Sequence, residues 1–201
     1  LSRENGPVHL RLTDLTENAS VSSAEAWITE GIRSATGEWI PSLLVQRTGS
    51  DSLLSSVFVS IIEPYISRPF INNIRRINTD NEAIAIELTF TDGNRDLIIC
   101  NEKNASVTTI ESEGKRQLSF TGQMALIRWS STGDMKNISI AGNGTLEADG
   151  YKADFIPGGG VTELVIEKGK VCIETGNIQS VKTLTYKGRS LSVASCARKN
   201  K

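Results

Sequence analysis

The chain has 201 residues, and 22 lysines and arginines against 23 aspartates and glutamates give it a formal net charge of −1 at pH 7. This balance lacks the basic excess of nucleic-acid-binding proteins, and no apolar run is long enough to span a membrane. The length suits one large domain or two small ones, and the chain opens with Leu1 and a polar, loop-like stretch. We therefore expect a domain of a longer protein, with no nucleic-acid partner and no membrane span.

Extended segments are predicted for nearly the whole chain, beginning with the alternating PVHLRL around His9. Residues 24–32 could form two helical turns, but Ala26 and Ile28 alternate there with Trp27 and its polar neighbours. In a chain so rich in strand-like segments, this alternation favours a strand.

Two apolar runs follow, at 55–62 and 70–77, and both are rich in β-branched or aromatic residues. Pro64 and Pro69 lie between them. Because each proline fixes its own φ, lacks an N–H and keeps the preceding residue extended, we expect a bend at 63–69 that turns a corner or crosses between sheets.

The segment 83–90 alternates cleanly. Its apolar residues at positions 84, 86, 88 and 90 would face one way, with Glu87 and Thr89 facing the other, which predicts one buried face and one wetter face. The turn sequence at 92–94 then predicts a hairpin with 95–100.

Short strands are predicted at close intervals through the rest of the chain: 106–110, 117–121, 124–130, 137–141, 145–148, 161–167, 170–175, 180–186 and 190–195. Glycine-containing turns separate them, among them 132–134 and 142–144. This pattern predicts an all-β fold, a multi-stranded antiparallel β-sandwich of two large sheets with an extra strand block at the C terminus. The proline and glycines at 157–160 divide a main sandwich, 1–157, from final strands, 158–201, which we expect to pack on it as one continuous domain.

One motif recurs in order and spacing in a known family. Its residues here are Leu43, Leu44, Val45, Arg47, 54–59, Glu63, Pro64, Tyr65, Pro69, Phe70, Ile71, Arg75 and Arg76. In this stretch the chain resembles the late, all-β region of heparinase II/III-like polysaccharide lyases.

The resemblance implies a C-terminal β-sandwich that supports and walls the substrate cleft of a missing N-terminal (α/α) toroid. It also implies an acidic polysaccharide substrate, β-elimination performed elsewhere in the chain, and a periplasmic or secreted bacterial protein. In that family the catalytic tyrosine and one histidine lie in the toroid, and relatives often carry a further histidine where this chain has Ile62. We therefore expect this region to be non-catalytic, with no metal and no cofactor.

The titratable and thiol residues offer little chemistry of their own. His9 is the only histidine, so no histidine pair can form, and the three cysteines lack metal-ligand spacing. We expect Cys100 and Cys172 to be small buried residues within strands. A disulfide, for instance between Cys172 and Cys196, is compatible with an oxidising compartment, and the spacing does not decide it.

Six residues are candidates for carbohydrate or domain-interface contacts: Trp27, Trp39, Glu63, Tyr65, Arg75 and Arg76. Glu63 is expected to pair with an arginine and hold the corner between two strands; the alternative is that this corner docks on the missing domain. We expect Trp39 to cap the core edge and Trp129 to pack inward. Exposure of either Trp27 or Trp39 would favour a stand-alone carbohydrate-binding module, and burial of every aromatic would favour an adhesin-like structural domain.

Overall fold

The computed structural model describes residues 7–29, 37–49, 56–79, 82–101, 106–110, 117–156, 160–167 and 169–196. In these ranges the regular structure consists of strands and a 3₁₀ turn at Ile178–Ser180. The strands are β1 (His9–Asp14), β2 (Ser20–Thr29), β3 (Gly37–Gln46), β4 (Ser60–Tyr65), β5 (Ile71–Ile77), β6 (Ile84–Phe90), β7 (Arg95–Cys100), β8 (Ser106–Ile110), β9 (Gln117–Trp129), β10 (Met135–Ala148), β11 (Tyr151–Phe155), β12 (Val161–Glu167), β13 (Lys170–Thr175), β14 (Val181–Tyr186), β15 (Arg189–Ser190) and β16 (Val193–Ser195). The predicted all-β class is confirmed.

The chain divides into two compact units, which we call the N-terminal unit, Leu1–Ser67, and the C-terminal unit, Arg68–Lys201. The boundary predicted at 157/158 lies in the C-terminal unit, and residues 157–159 are outside the described ranges. The strands on either side of that boundary, β11 and β12, both pair with β10.

The N-terminal unit contains two two-stranded antiparallel ribbons. In the first ribbon β1 pairs with β4, so that His9 lies opposite Tyr65. In the second ribbon β2 pairs with β3 in an unbroken register that places Trp27 opposite Trp39. The predicted strand at 24–32 is thus confirmed as far as Thr29, where the described range ends.

The bend predicted at 63–69 begins later than expected. Pro64 lies inside β4, opposite Leu10, and the chain turns only after Tyr65. A strand of a two-stranded ribbon has one unpaired edge, so a proline without an N–H is tolerated there.

The C-terminal unit is a 12-stranded sheet folded into two layers. The strands β9 and β10 run through both layers: 124–129 of β9 pair with β7 and 117–121 with β8. Likewise 137–141 of β10 pair with β12, and 144–148 pair with β11. The first layer therefore has the order β5-β6-β7-β9-β10-β12-β13-β16, and the second β8-β9-β10-β11-β14-β15. The sequence predicts a sandwich of two separate sheets. The two layers instead belong to one continuous sheet, because the hairpin formed by β9 and β10 runs through both of them.

The hairpin bends where glycines interrupt its register. Two residues of β10, 142 and 143, lie opposite one residue of β9 between the pairs Ala141–Met124 and Gly144–Gly122. This is a β-bulge, which adds twist and bends a strand. The prediction of a turn at 142–144 is therefore wrong, because these glycines bend a continuous strand instead of ending it.

A hydrophobic cluster fills the space between the two layers. Its fully buried members include Ile99, Ile127, Ile138 and Leu164 from the first layer and Phe120, Leu146 and Ala153 from the second. Burial of each large side chain contributes about 1.5–3 kcal/mol, so the cluster holds the layers together.

Strand β6 lacks the wetter face that its alternation predicted. Ala85 faces the hydrophobic cluster together with Glu87, and Ile86 and Leu88 on the other face are also buried. The core face is thus the one that carries the glutamate. The predicted hairpin of β6 with β7 is confirmed.

The last strand is fixed by a disulfide. Strand β16 pairs in parallel with β13, and Cys172 of β13 is bonded to Cys196, 24 residues later in the chain. Cys172 is half-buried and Cys100 is an exposed free thiol, so the prediction that both are buried is wrong. Cys100 lies on the outer face of β7, because its neighbour Ile99 faces the core.

We expect Gly144→Ala to lower the free energy of unfolding by at least about 2 kcal/mol. Gly144 has φ +155°, and a Cβ there would overlap the carbonyl oxygen of Thr121. Gly169→Ala is the matched control, since its φ is +76° but no non-neighbouring atom of the described residues lies within 4 Å of the added carbon, and about 1 kcal/mol is expected. Urea unfolding of the two variants measures the difference, and equal losses would contradict the proposed role of the bulge.

We expect Cys172→Ser combined with Cys196→Ser to lower the free energy of unfolding by about 2–4 kcal/mol, because the disulfide restricts the unfolded chain. Cys100→Ser should leave stability unchanged, since this thiol is free and exposed. Thermal unfolding with and without a reducing agent checks both expectations. A wild-type transition that the reducing agent leaves unchanged would contradict the stabilising role of this disulfide.

Candidate functional site

The tryptophans of the second ribbon form an exposed aromatic pair. Trp27 and Trp39 lie directly across from each other with ring centroids 5.4 Å apart at 61°, an edge-to-face contact. Their side chains are 47% and 62% exposed. The prediction that Trp39 caps the core edge is wrong, since a two-stranded ribbon has no core to cap.

The same face of this ribbon is apolar beyond the tryptophans. Because side chains alternate along a strand, Val21 and Leu43 share the face of the pair, and both are exposed. Ile28 and Leu44, also exposed, lie on the opposite face. The ribbon thus presents apolar side chains in both directions.

Glu63 is a buried carboxylate on the first ribbon, only 1% exposed. Arg11 lies opposite it in the register, and its Nη2 is 2.6 Å from Glu63 Oε2. Next to this pair the His9 ring stacks on Tyr65, with centroids 5.3 Å apart. The expected arginine partner of Glu63 is present, on β1, and the pair joins the two strands of the ribbon.

Arg75 and Arg76 belong to the C-terminal unit, on β5. Arg75 lies opposite Glu87, to whose Oε1 its Nε donates a 2.7 Å hydrogen bond, and Arg95 Nη1 lies 3.9 Å from the other carboxylate oxygen. Arg76 points to the other face of the sheet, opposite Ile86. Arg75 therefore has a structural partner within the sheet.

A charge pair that the sequence reasoning missed lies on the outer face of the first layer. Arg128 donates from Nε and Nη2 to the two oxygens of Asp96 at 2.7 and 2.6 Å, and this hydrogen bonding raises the pKa of the guanidinium. Arg128 also lies over Phe90, next to Phe70, where a cleft of about 210 Å³ opens. The sequence signal for this pair is one acidic and one basic residue, each within an otherwise apolar strand, β7 and β9.

A larger cleft, of about 620 Å³, opens between the two layers. The lining residues are Gly133, Asp134, Met135, Lys136, Asp149, Tyr151, Ile166, Gly169, Tyr186 and Leu191. They come from the ends of β10, β12 and β14, from the start of β11 and from adjoining turns, all far from the bulge in the shared hairpin. The sandwich is thus open at the end opposite its bend. From the sequence, Tyr151 and Tyr186 are, like the other aromatics, possible partners of a sugar ring, whereas the other lining residues are predicted only as strand ends and turns.

Two tyrosines form the wall of this cleft on the second layer. Tyr151 and Tyr186 are cross-strand partners with ring centroids 4.5 Å apart. Burial raises the pKa of Tyr151, and the nearby Tyr186 and Asp134 raise it further. A neutral phenol presents both an apolar ring and a hydroxyl to the cleft.

The acidic residues of the cleft are held by hydrogen bonds. Asp149 Oδ2 accepts a 2.6 Å bond from the indole Nε1 of Trp129, which packs inward as predicted. Asp134 Oδ2 accepts a 2.8 Å bond from Thr132 Oγ1 within the predicted turn. Both carboxylates therefore have a fixed position and acceptor capacity to spare.

Comparison of the chain with protein-family models, curated proteins and solved structures finds no match. The likeness to heparinase II/III-like lyases therefore rests on the motif within residues 43–76 and stays a prediction. Within the described ranges no helix is long and apolar enough to cross a membrane. The same ranges contain no cluster of three or more His, Cys, Asp or Glu side chains suited to a metal.

We expect Asp134→Asn to lower the pKa of Tyr151, because a neighbouring negative charge opposes formation of the phenolate. Glu147→Gln, an exposed carboxylate on β10 outside the cleft lining, is the control and should leave this pKa unchanged. NMR titration of ¹³C-labelled tyrosine follows the phenol directly. An unchanged Tyr151 titration in Asp134→Asn would refute the electrostatic coupling.

Proposed function

We propose that this chain is the non-catalytic C-terminal β region of a heparinase II/III-like lyase that acts on acidic polysaccharide. In this proposal the N-terminal unit docks on a helical toroid domain of the same protein and helps wall its substrate cleft, and β-elimination takes place in the toroid. The observation that carries the proposal is the apolar surface of the N-terminal unit, where exposed apolar side chains occur on both ribbons.

Large apolar side chains are exposed on both ribbons of this unit. On the first ribbon Leu10 is 70% exposed and Ile62 is 64% exposed, and they share one face with Leu12. The second ribbon adds the Trp27–Trp39 pair. Exposed apolar side chains in such number favour an interaction site, and a packed protein partner would remove them from water.

The first ribbon is also built to keep its shape at such an interface. The buried Arg11–Glu63 pair and the His9–Tyr65 stack occupy one face and leave the apolar face outward. Glu63 and Tyr65 belong to the motif that resembles the lyases. Two residues of that motif thus make the cross-strand contacts that stabilise the ribbon proposed to dock.

The disulfide between Cys172 and Cys196 supports a periplasmic or secreted location, because disulfides persist in oxidising compartments. That location agrees with the one the family resemblance implies.

A stand-alone carbohydrate-binding module is the second candidate, and the exposure of Trp27 and Trp39 favours it. Aromatic rings can stack on the C–H face of a pyranose, and the exposed Trp27 and Trp39 offer such rings. An adhesin-like domain without a ligand is disfavoured by the same exposure.

The two candidates predict different results for the chain alone. We titrate it by calorimetry with heparan sulfate, hyaluronan, alginate and pectin, and follow the ultraviolet absorbance of the unsaturated product of β-elimination. The docking proposal expects neither saturable binding nor product, because the toroid is absent. Product formation by the chain alone would overturn it.

Saturable binding without product would instead support the module. In that case Trp27→Ala and Trp39→Ala should each weaken binding about tenfold or more, since stacking on an aromatic ring is worth about 1–2 kcal/mol. Ile28→Ala is the matched control, because Ile28 is exposed on the opposite face of the same strand. Equal losses in all three variants would exclude the tryptophan face as the binding surface.

A further inference from the structure

The cleft at the open end of the C-terminal unit combines two kinds of surface. Its inner lining includes the apolar side chains of Met135, Ile166 and Leu191, and its rim carries polar and charged groups. A volume of about 620 Å³ falls in the range of small-molecule sites, which pair an apolar lining with a few convergent polar groups.

We propose that this cleft binds a neutral sugar ring, with its C–H face against the Tyr151 ring and its hydroxyls donating to Asp134 and Asp149. This site lies in the C-terminal unit and does not depend on the function proposed above.

The aromatic wall fits the apolar face of a sugar. The two tyrosine rings are cross-strand neighbours whose centroids are 4.5 Å apart at a 38° tilt, so they pack on each other and each covers one face of its neighbour. Lys187 Nζ lies 5.3 Å from the centroid of the Tyr186 ring. Tyr151 has no such cation contact among the described residues, so its ring is the one assigned to the ligand.

The two carboxylates fit the hydroxyl groups. Asp149 accepts a hydrogen bond from Trp129 and Asp134 accepts one from Thr132, and because a carboxylate has about four lone-pair sites it can accept sugar hydroxyls as well. A carboxylate is an acceptor only, so its natural partner is a donor, and sugar hydroxyls supply several at fixed spacing. The protein hydrogen bonds fix the carboxylates in place before a ligand arrives, which lowers the entropic cost of binding.

The charge of the lining selects a neutral sugar over an acidic one. Two carboxylates, Asp134 and Asp149, line the cleft with one ammonium, Lys136; Lys187 contacts the Tyr186 ring but is not a lining residue, so the lining side chains carry one net negative charge. A uronic acid would bring its own carboxylate into this field and meet repulsion. The ligand class therefore differs from the acidic polysaccharide of the proposed lyase.

The test is an NMR titration of the ¹⁵N-labelled chain with methyl β-D-glucopyranoside and methyl β-D-galactopyranoside, and with methyl β-D-glucuronide for comparison. We expect saturable shifts of amides at 133–136, 149–151 and 186–191 with at least one neutral glycoside and weaker binding of the glucuronide. Asp134→Asn should weaken binding about tenfold, because a hydrogen bond to a charged group is lost.

Two variants guard against misfolding. Asp134→Asn keeps an acceptor for Thr132 at an exposed turn, and Glu147→Gln removes an equal charge from β10 outside the cleft lining and should bind as the wild type does. Both should keep the dispersed spectrum of the folded chain. Trp27→Ala should also bind normally, which separates this site from the tryptophan face.

Three outcomes would overturn the proposal. These are the absence of saturable shifts with either neutral glycoside, binding that Asp134→Asn leaves unchanged, and tighter binding of a cation such as tetramethylammonium than of the glycosides. The last would assign the tyrosines and carboxylates to a cation instead of a sugar.

Discussion

The bend in the hairpin of β9 and β10 is the constraint on which the C-terminal unit depends. Each strand continues from one layer into the other, so both layers are joined by backbone along their middle. The bend requires a residue at Gly144 without a Cβ, since the carbonyl of Thr121 occupies that position. On either side of the bend the inward side chains, such as Phe120 and Ile138, meet in the hydrophobic cluster. Local backbone geometry thus sets which residues form the core.

The same bend also determines where a ligand can enter. Two layers joined at a fold are closest there and part toward their far ends, where the turn at 130–134 and the turn after Ala148 lie. The cleft lies at this end of the sandwich, and its two carboxylates, Asp134 and Asp149, belong to those two turns. Asp149 adopts a positive φ of 49° at its hairpin turn and accepts the bond from Trp129. A core tryptophan therefore fixes a group at the cleft rim, which links packing to binding.

Period-two alternation made most strands and the hairpin of β6 with β7 predictable, because it reports which residues share a face. It failed to predict which face of a strand packs against the hydrophobic cluster. In β6 the apolar face lies outside the main hydrophobic cluster, while Glu87 faces inward and is bonded to Arg75 on the edge strand β5. Gly144 was predicted as part of a turn, since one sequence cannot distinguish a glycine that ends a strand from one that bends it. The partner of Glu63 and the cleft residues depend on long-range register, which no local pattern contains.

The distribution of apolar side chains in the N-terminal unit favours one of the two proposed occupants of its surface. A glycan stacked on Trp27 and Trp39 would cover one face of one ribbon. It would leave Ile28 and Leu44 on the reverse face exposed, and also Leu10 on the other ribbon. Two-stranded ribbons are marginal by themselves, and each of these side chains adds to the free energy gained when a surface covers it. A packed protein domain can cover several faces at once. Docking would therefore explain the exposure of more of these apolar side chains than glycan binding would.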